Sequence, residues 1–108
     1  MIDTPLENTF EELSIGQKRS FTQKIDESLM SDFAKISGDF NPLHMNNEYA
    51  EKTNFGQRVC HGMLLASFFS KLVGMYMPGK NSLYFSQSLN FRNPGFIGDL
   101  VTVSGEIV

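Results

Sequence analysis

The chain has 108 residues, including ten Phe and six Met, which suits one domain spanning 1–108 with a modest core. Its net charge of −3 includes no basic stripe, which argues against nucleic acid as the main partner. Cys60 is the only cysteine and the acidic start "MIDTPLENTFEEL" lacks the basic and apolar regions of a signal peptide, which favours a cytoplasmic protein without internal disulfides.

The first half of the chain predicts one strand and one short helix. The stretch "KRSFTQKI" at 18–25 alternates loosely and predicts a strand. Asp26 is suited to cap a helix whose apolar residues recur at helical spacing, and that helix is expected to stop at Gly38. Residues 39–60 are expected to form an irregular segment broken by one helical turn around "NNEYAEKT".

A long apolar helix is predicted next. The stretch "GMLLASFFSKLVGMYM" at 62–77 is apolar on nearly every side, which is typical of a helix enclosed by other structure. At roughly 1.5 Å per residue it is too short, and too polar in its middle, for an easy membrane span. No membrane partner is therefore expected.

Two further strands are predicted towards the end of the chain. The stretch "SLYFSQSLNF" at 82–91 alternates, with Leu83, Phe85, Leu89 and Phe91 on one face. The stretch "LVTVSGEIV" at 100–108 alternates as well, with Gly105 as a candidate bulge. Because so few strands cannot enclose the long helix, we expect its remaining cover to come from a further segment or from another chain.

The motif "GDFNPLH" carries the first candidate chemistry, with Asp39, Asn41 and His44 grouped around Pro42. One interpretation is an Asx-type surface turn with a solvated imidazole. The other is a loop that holds a carboxylate and an imidazole on one water molecule, since general-base assistance by such groups typically contributes about 10²–10⁴-fold. The residue types and their spacing leave both interpretations open.

The next motif, "CHGML", opens the long helix. For His61 a buried structural role is favoured over catalysis. The backbone N–H of Gly62 belongs to the first turn, where amides lack helical partners, so it could hold a developing oxyanion; a packing role for this glycine is equally compatible. A metal site built from Asp39, His44 and His61 lacks the usual ligand spacings, and no metal is expected.

The remaining polar side chains have simpler interpretations. Cys60 is expected to be an inert core residue. Ser67 lacks a base at triad-like spacing, which favours a hydroxyl that bonds its own helix. The cations Arg58, Lys80 and Arg92 are interpreted as scattered surface charge.

Taken together, "GDFNPLH" followed by "HGMLLAS" resembles the MaoC-like, (R)-specific enoyl-CoA hydratases of the hotdog superfamily, and the likeness extends from "FEELSIGQ" to "GEIV". The resemblance implies that Asp39 and His44 are the catalytic dyad and that the N–H of Gly62 polarises a thioester carbonyl. Asp39 is the expected base, with His44 orienting the water. The residues expected to shape or line the substrate site are Asn41, Ser67 and His61.

The same resemblance implies an α+β hotdog fold, in which a bent antiparallel sheet is wrapped around one long central helix, here lacking its last two strands. The implied reaction is reversible hydration of a trans-2-enoyl-CoA to an (R)-3-hydroxyacyl-CoA. It needs no metal or redox cofactor, because coenzyme A serves only as substrate carrier. A homodimer acting on acyl-CoA or on acyl carrier protein (ACP) thioesters is expected.

Three alternatives stay open at this stage: a 3-hydroxyacyl-ACP dehydratase, a hotdog thioesterase, and a non-catalytic acyl-CoA-binding or oligomerisation module. The "GDFNPLH" and "HGMLLAS" pair favours the hydratase over the thioesterase. Retention of both Asp39 and His44 argues against a non-catalytic module.

Overall fold

The computed structural model describes residues 3–108, and within them the chain forms two strands and a set of helices. In chain order these are a 3₁₀ turn at Phe10–Glu12, β1 at Lys18–Lys24, α1 at Glu27–Ser37, α2 at Pro42–Met45, α3 at Asn47–Glu51, α4 at Gly62–Lys71 with a π-helical continuation at Leu72–Tyr76, and β2 at Leu100–Glu106. The residues group into two compact units, one made of the described part of Met1–Gln23 with Ala66–Leu89 and Thr102–Val108, the other of Lys24–Leu65 with Asn90–Val101.

The first unit is built on the antiparallel pairing of β1 with β2. The N–H of Ile107 donates to the carbonyl of Gln17, which sets the register at one end of the ribbon. Phe21 and Val103 are the buried side chains of the two strands, as alternation requires when one face packs on a core. The Phe21 ring stacks on Tyr76 at 5.2 Å between ring centroids.

The N-terminal segment of this unit is fixed by the turn that follows the π-helical residues. The N–H of Leu6 donates to Met75, and the N–H of Lys80 donates back to the carbonyl of Leu6. Gly79 lies between them with φ +85°, and a Cβ at this position would overlap the Leu6 carbonyl. Only glycine meets both the backbone angle and the close approach.

The second unit contains α1, and its predicted ends are confirmed. The Asp26 carboxylate accepts the N–H of Leu29 at 2.8 Å, which satisfies one free amide of the first turn. Gly38 closes the helix in the left-handed region at φ +79°, with its N–H bonded to Ala34. Met30 and Ala34 are fully buried and anchor the helix in the unit.

The strand predicted at 82–91 is wrong: the structure has no strand there. A strand needs a hydrogen-bonded neighbour, and among residues 3–108 this segment finds none. Leu83 and Phe85, the supposed inward face, are 88% and 95% exposed. The alternation is present in the sequence, but the partner that would turn it into a strand is not among the described elements.

The predicted long helix is confirmed at 62–76, with its last five residues in π geometry. Its expected enclosure is only partial, because Leu64, Phe68 and Leu72 are buried whereas Met63 is 52% exposed. Gly105 does not mark a bulge; it lies inside β2, where a Cβ would come within 2.8 Å of Leu72. Within the described residues, no helix combines the length and apolarity needed to cross a bilayer.

Candidate active site

The loop after α1 presents the Asp39 carboxylate. The N–H of Asp39 donates to the hydroxyl of Ser37 at 3.1 Å, and the N–H of Asn41 donates to Asp39 Oδ1, also at 3.1 Å. One carboxylate oxygen is therefore used to shape the loop. The other, Oδ2, stays available on a side chain that is 48% exposed.

The Asn41 side chain starts the short helix that carries His44. Its Oδ1 accepts the N–H of Leu43 at 3.0 Å, and Pro42 occupies the first helical position, where a missing N–H does no harm. Helix α2 was not predicted from the sequence, although an Asn–Pro pair is a recognised start signal. Asn41 thus acts on the loop through its cap, and its predicted contact with substrate stays a prediction.

The hydrogen bonding of His44 fixes which of its ring nitrogens can act on a proton. Nδ1 lies 2.7 Å from the carbonyl oxygen of Val59. Because a carbonyl only accepts, Nδ1 must carry the hydrogen, and in the neutral ring Nε2 is left with its lone pair. Nε2 is therefore the atom that His44 offers to a water or a substrate.

Asp39 and His44 lie near each other in the structure, a proximity that the family resemblance implied and the spacing alone left open. His44 Nε2 lies 3.9 Å from Asp39 Oδ2, which is beyond hydrogen-bond reach. One water bonded to both atoms at about 2.8 Å would subtend roughly 90° between them, a feasible angle for its two O–H bonds. The pair can thus accept both hydrogens of one water and leave the water's lone pairs facing outwards.

His61 lies behind this pair. Its side chain is 2% exposed, its ring stacks on His44 at 4.1 Å between centroids, and its Nε2–H donates to the backbone carbonyl of Asp39 at 3.0 Å. Nδ1 is buried and finds no partner among the described residues. His61 does not line the adjoining cavity, so its predicted substrate-binding role stays a prediction, and the geometry gives it a supporting position.

A cavity of about 330 Å³ is lined by His44 and Gly62, whereas Asp39 is not among its lining residues. The N–H of Gly62 makes no hydrogen bond to the described part of the protein. A Cβ on Gly62 would approach the Phe91 ring to 3.0 Å, so the glycine also has a packing reason. The residues lining the cavity are His44, Phe55, Val59, Cys60, Gly62, Leu65, Phe91, Arg92, Asn93, Pro94 and Gly95.

A larger groove of about 570 Å³ runs along the β1–β2 ribbon, between Lys18 and Glu106. It is lined by residues of the two strands, most of them exposed, and it holds none of the residues predicted to act on a substrate. Size is therefore a poor guide here, since it is the smaller cavity that is lined by His44 and Gly62.

Ser67 and Cys60 differ in their position relative to the cavity. Ser67 lies on the exposed side of α4 and does not line the cavity, so its assignment to the substrate site stays a prediction. Cys60 lines the cavity although it is only 2% exposed, and burial, with a smaller contribution from Asp99, raises the pKa of its thiol to about 11. A thiol with that pKa is a poor nucleophile at neutral pH, in keeping with the predicted inert role.

Asp39, His44 and His61 each bring one possible metal ligand atom to within 4.8 Å of the others. His44 Nδ1 and His61 Nε2 both donate to carbonyl oxygens, so each ring has only its other nitrogen available as a ligand. His44 Nε2, Asp39 Oδ2 and the buried Nδ1 of His61 are the atoms left open, which is the minimum of three protein ligands for a zinc site. That no metal is bound here stays a prediction.

Sequence reasoning missed Arg58, which was interpreted as surface charge. It is 7% exposed, and it bonds both the backbone of His44 and the side chain of Glu27. No local pattern distinguishes it from a surface cation, because the groups it bonds lie 14 and 31 positions away in the chain.

Comparison with known proteins identifies the family of the chain. The MaoC like domain family matches residues 10–108. The chain is 45% identical over 95 residues to the (R)-specific enoyl-CoA hydratase of Aeromonas caviae, covering 88% of this chain and 71% of that protein. It is 41% identical over 98 residues to the 3-hydroxybutyryl-CoA dehydratase of Methylorubrum extorquens, covering 91% of this chain and 62% of that protein.

The fold agrees as well. The structure superposes on the solved (R)-hydratase of A. caviae with a TM-score of 0.86, over 89% of this chain and 73% of that one. This confirms the predicted α+β hotdog class. With a family match over almost the whole chain, the protein belongs to the MaoC-like domain family.

Proposed function

We propose that the protein catalyses the reversible hydration of a trans-2-enoyl-CoA to an (R)-3-hydroxyacyl-CoA. The observation that carries the proposal is the pairing of His44 Nε2 with Asp39 Oδ2 across 3.9 Å, beside a cavity onto which Gly62 opens. The related hydratase and dehydratase described above carry names that refer to CoA thioesters of this type.

In the proposed mechanism, the pair binds one water through both of its hydrogens. Asp39 Oδ2 takes one proton as the water oxygen bonds to C3 of the substrate. His44 Nε2 keeps the other O–H aligned, because its own hydrogen is held on Nδ1 by Val59. Water is a weak nucleophile, so this assistance is the first contribution to rate.

The second contribution to the rate is made at the thioester carbonyl of the substrate. As the oxygen of water bonds to C3, the π electrons of the alkene shift towards the thioester oxygen and an enolate-like charge develops there. The N–H of Gly62 is unpaired within the described residues and belongs to the first turn of α4, where the helix dipole is positive. The carbonyl then re-forms while the proton on Asp39 passes to C2, so the dyad is regenerated and one water has been added.

The reaction transfers no net electrons, so we propose that it runs without a redox cofactor, with coenzyme A as carrier. We also propose a homodimer, for which the exposed apolar side chains of α4, such as Met63 and Phe69, are supporting observations. Sedimentation of the purified protein tests the dimer: a single species at the monomer mass would overturn it.

The test of function compares Asp39→Asn and His44→Gln with wild type, using crotonyl-CoA and the loss of ultraviolet absorbance of the conjugated thioester. Each substitution is expected to lower kcat by at least about 10²-fold, the lower end of general acid–base contributions. Asp32→Asn is the matched control, since Asp32 is an exposed acid on α1 outside the pair. Wild-type rates in both dyad variants would refute the assignment.

The same assay separates the alternatives. A thioesterase would release free thiol without consuming water at C3, and a thiol reagent detects that directly. A non-catalytic module would bind crotonyl-CoA and leave its absorbance unchanged. Crotonyl-ACP offered at the same concentration tests which carrier is preferred.

A further inference from the structure

We propose that Arg58 is a positioning residue for His44, one that sets the orientation and tautomer of the imidazole without touching the substrate. The inference deepens the proposed function and rests on it for its catalytic consequence. Arg58 is 7% exposed, which is unusual for an arginine, so its contacts need an explanation.

The guanidinium is held by three different groups. Nε donates to the backbone carbonyl of His44 at 2.6 Å, and NH1 donates to Glu27 Oε2 at 2.7 Å. NH2 lies 3.9 Å from the sulfur of Met45, a weak acceptor. The planar fork of arginine is what allows one side chain to reach a carbonyl and a carboxylate at the same time.

The hydrogen bond from Arg58 to the His44 carbonyl joins two segments whose relative position determines the orientation of the imidazole. Residues 43–44 and 58–59 are tied by three hydrogen bonds: Val59 N–H to Leu43 O at 3.2 Å, His44 Nδ1–H to Val59 O at 2.7 Å, and Arg58 Nε–H to His44 O. The Arg58 bond carries a full charge and is the shortest of the three, so it is the strongest constraint on their relative position.

A shift between these segments would release the imidazole. If the Val59 carbonyl leaves Nδ1, nothing on the described residues forces the hydrogen to stay on that nitrogen. The alternative neutral tautomer carries its hydrogen on Nε2, which would then donate to the water and could no longer accept from it. Loss of the Arg58 bond should therefore change the tautomer of His44 as well as the rate.

Glu27 holds the other end of the guanidinium. It is the first residue of α1, and its carboxylate is largely exposed whereas the Arg58 side chain is 6% exposed. A buried cation needs such a partner, because an unpaired charge out of water is costly. The pair thus links the start of α1 to the backbone of His44.

A matched control exists in the other compact unit. Lys80 and Glu7 form an ion pair with the same N···O distance of 2.7 Å, but both side chains are exposed. Lys80→Gln therefore shows what the loss of a paired cation does to the protein in the unit that lacks His44.

The experiment compares Arg58→Gln, Arg58→Lys, Glu27→Gln and Lys80→Gln. Three quantities are measured: kcat and KM with crotonyl-CoA, thermal unfolding, and the tautomer of His44 from ¹⁵N–¹H long-range correlation spectra. Arg58→Gln is expected to lower kcat by about 10²-fold, the scale of a small misplacement of a reacting group, with KM changed far less. Its His44 spectrum should show the Nε2–H tautomer, which is absent from wild type.

Arg58→Lys should retain part of the rate, since an ammonium can keep one of the two bonds, and Lys80→Gln should leave the rate and the tautomer unchanged. A folded Arg58→Gln with wild-type kcat and tautomer would overturn the proposal. If Arg58→Gln does not fold, Arg58→Lys and Glu27→Gln decide in its place by the same two readouts. If the wild type hydrates no enoyl thioester, the proposed function fails, and the tautomer comparison still decides the role of Arg58.

Discussion

Replacing His61 should affect stability and activity differently. The residue supports Asp39 and His44, but one of its own ring nitrogens is buried without a partner among the described residues. In His61→Leu, the Nε2–H bond to the Asp39 carbonyl is lost, together with the ring stacked on His44. The lost hydrogen bond costs about 0.5–1.5 kcal/mol and the lost ring stacking about as much.

An opposing gain follows from the other ring nitrogen. Nδ1 of His61 is buried without a partner in the described part of the chain, and such an acceptor destabilises a fold by about 1–3 kcal/mol. Leucine removes that penalty and fills a similar volume. The two effects nearly cancel, so the free energy of unfolding of His61→Leu should stay within about 1 kcal/mol of wild type.

Activity should respond quite differently. Without His61, the backbone at Asp39 and the face of the His44 ring both lose a constraint, and we expect kcat for crotonyl-CoA to fall at least about tenfold. His61→Gln is the matched variant, because its amide can place a donor where Nε2 was while keeping an unpaired buried acceptor. It should be less stable than His61→Leu and yet more active.

Urea unfolding and steady-state kinetics on the same preparations provide the two rankings. The leucine variant should be the more stable of the two, and the glutamine variant should be the more active. If activity follows stability, or if His61→Leu unfolds about 3 kcal/mol more easily than wild type, the supporting role assigned to His61 is wrong.

Two further predictions concern the cavity wall. Gly62→Ala keeps the N–H but brings a methyl group to 3.0 Å from the Phe91 ring, so the ring must move and KM should rise with kcat little changed; an unchanged KM would show that the ring does not limit the cavity. At pH 9 a thiol with the ordinary pKa of 9.0 is half ionised, whereas Cys60 at about 11 is roughly 1% ionised, so iodoacetamide should label native protein at least about 50-fold more slowly than denatured protein. Because the unfolded thiol loses its proton first, Cys60 should also make stability fall as pH rises from 9 to 11, and equal labelling rates would contradict both statements.

Elements whose signals are local were predictable from the sequence. Helix α1 carries its own cap at Asp26 and its own stop at Gly38, and both act where the sequence indicated. The proximity of Asp39 and His44 also depends on a short loop, closed by Asn41 and Pro42, although the spacing by itself allowed a solvated imidazole as well. In each case the residues that decide the conformation lie within a few positions of one another.

What could not be predicted depends on partners distant in the chain. The segment at 82–91 has the alternation of a strand, but alternation describes a face and does not supply the neighbouring strand. In the sequence, Arg58 cannot be told from a surface cation, because its ion-pair partner Glu27 lies 31 positions away. Burial of a charged group is decided by tertiary packing, which composition and spacing do not contain.

The tautomers of the two histidines also depend on partners distant in the chain. They stack on each other, yet His44 holds its hydrogen on Nδ1 and His61 holds its hydrogen on Nε2, because each faces a different backbone carbonyl. The carbonyl of Val59 leaves His44 Nε2 able to accept from water, and the carbonyl of Asp39 fixes His61 as a donor. Two backbone carbonyls, whose positions cannot be inferred from residue types, therefore decide which imidazole can take part in proton transfer. A substitution that moves either carbonyl should change the reaction rate without altering Asp39 or His44.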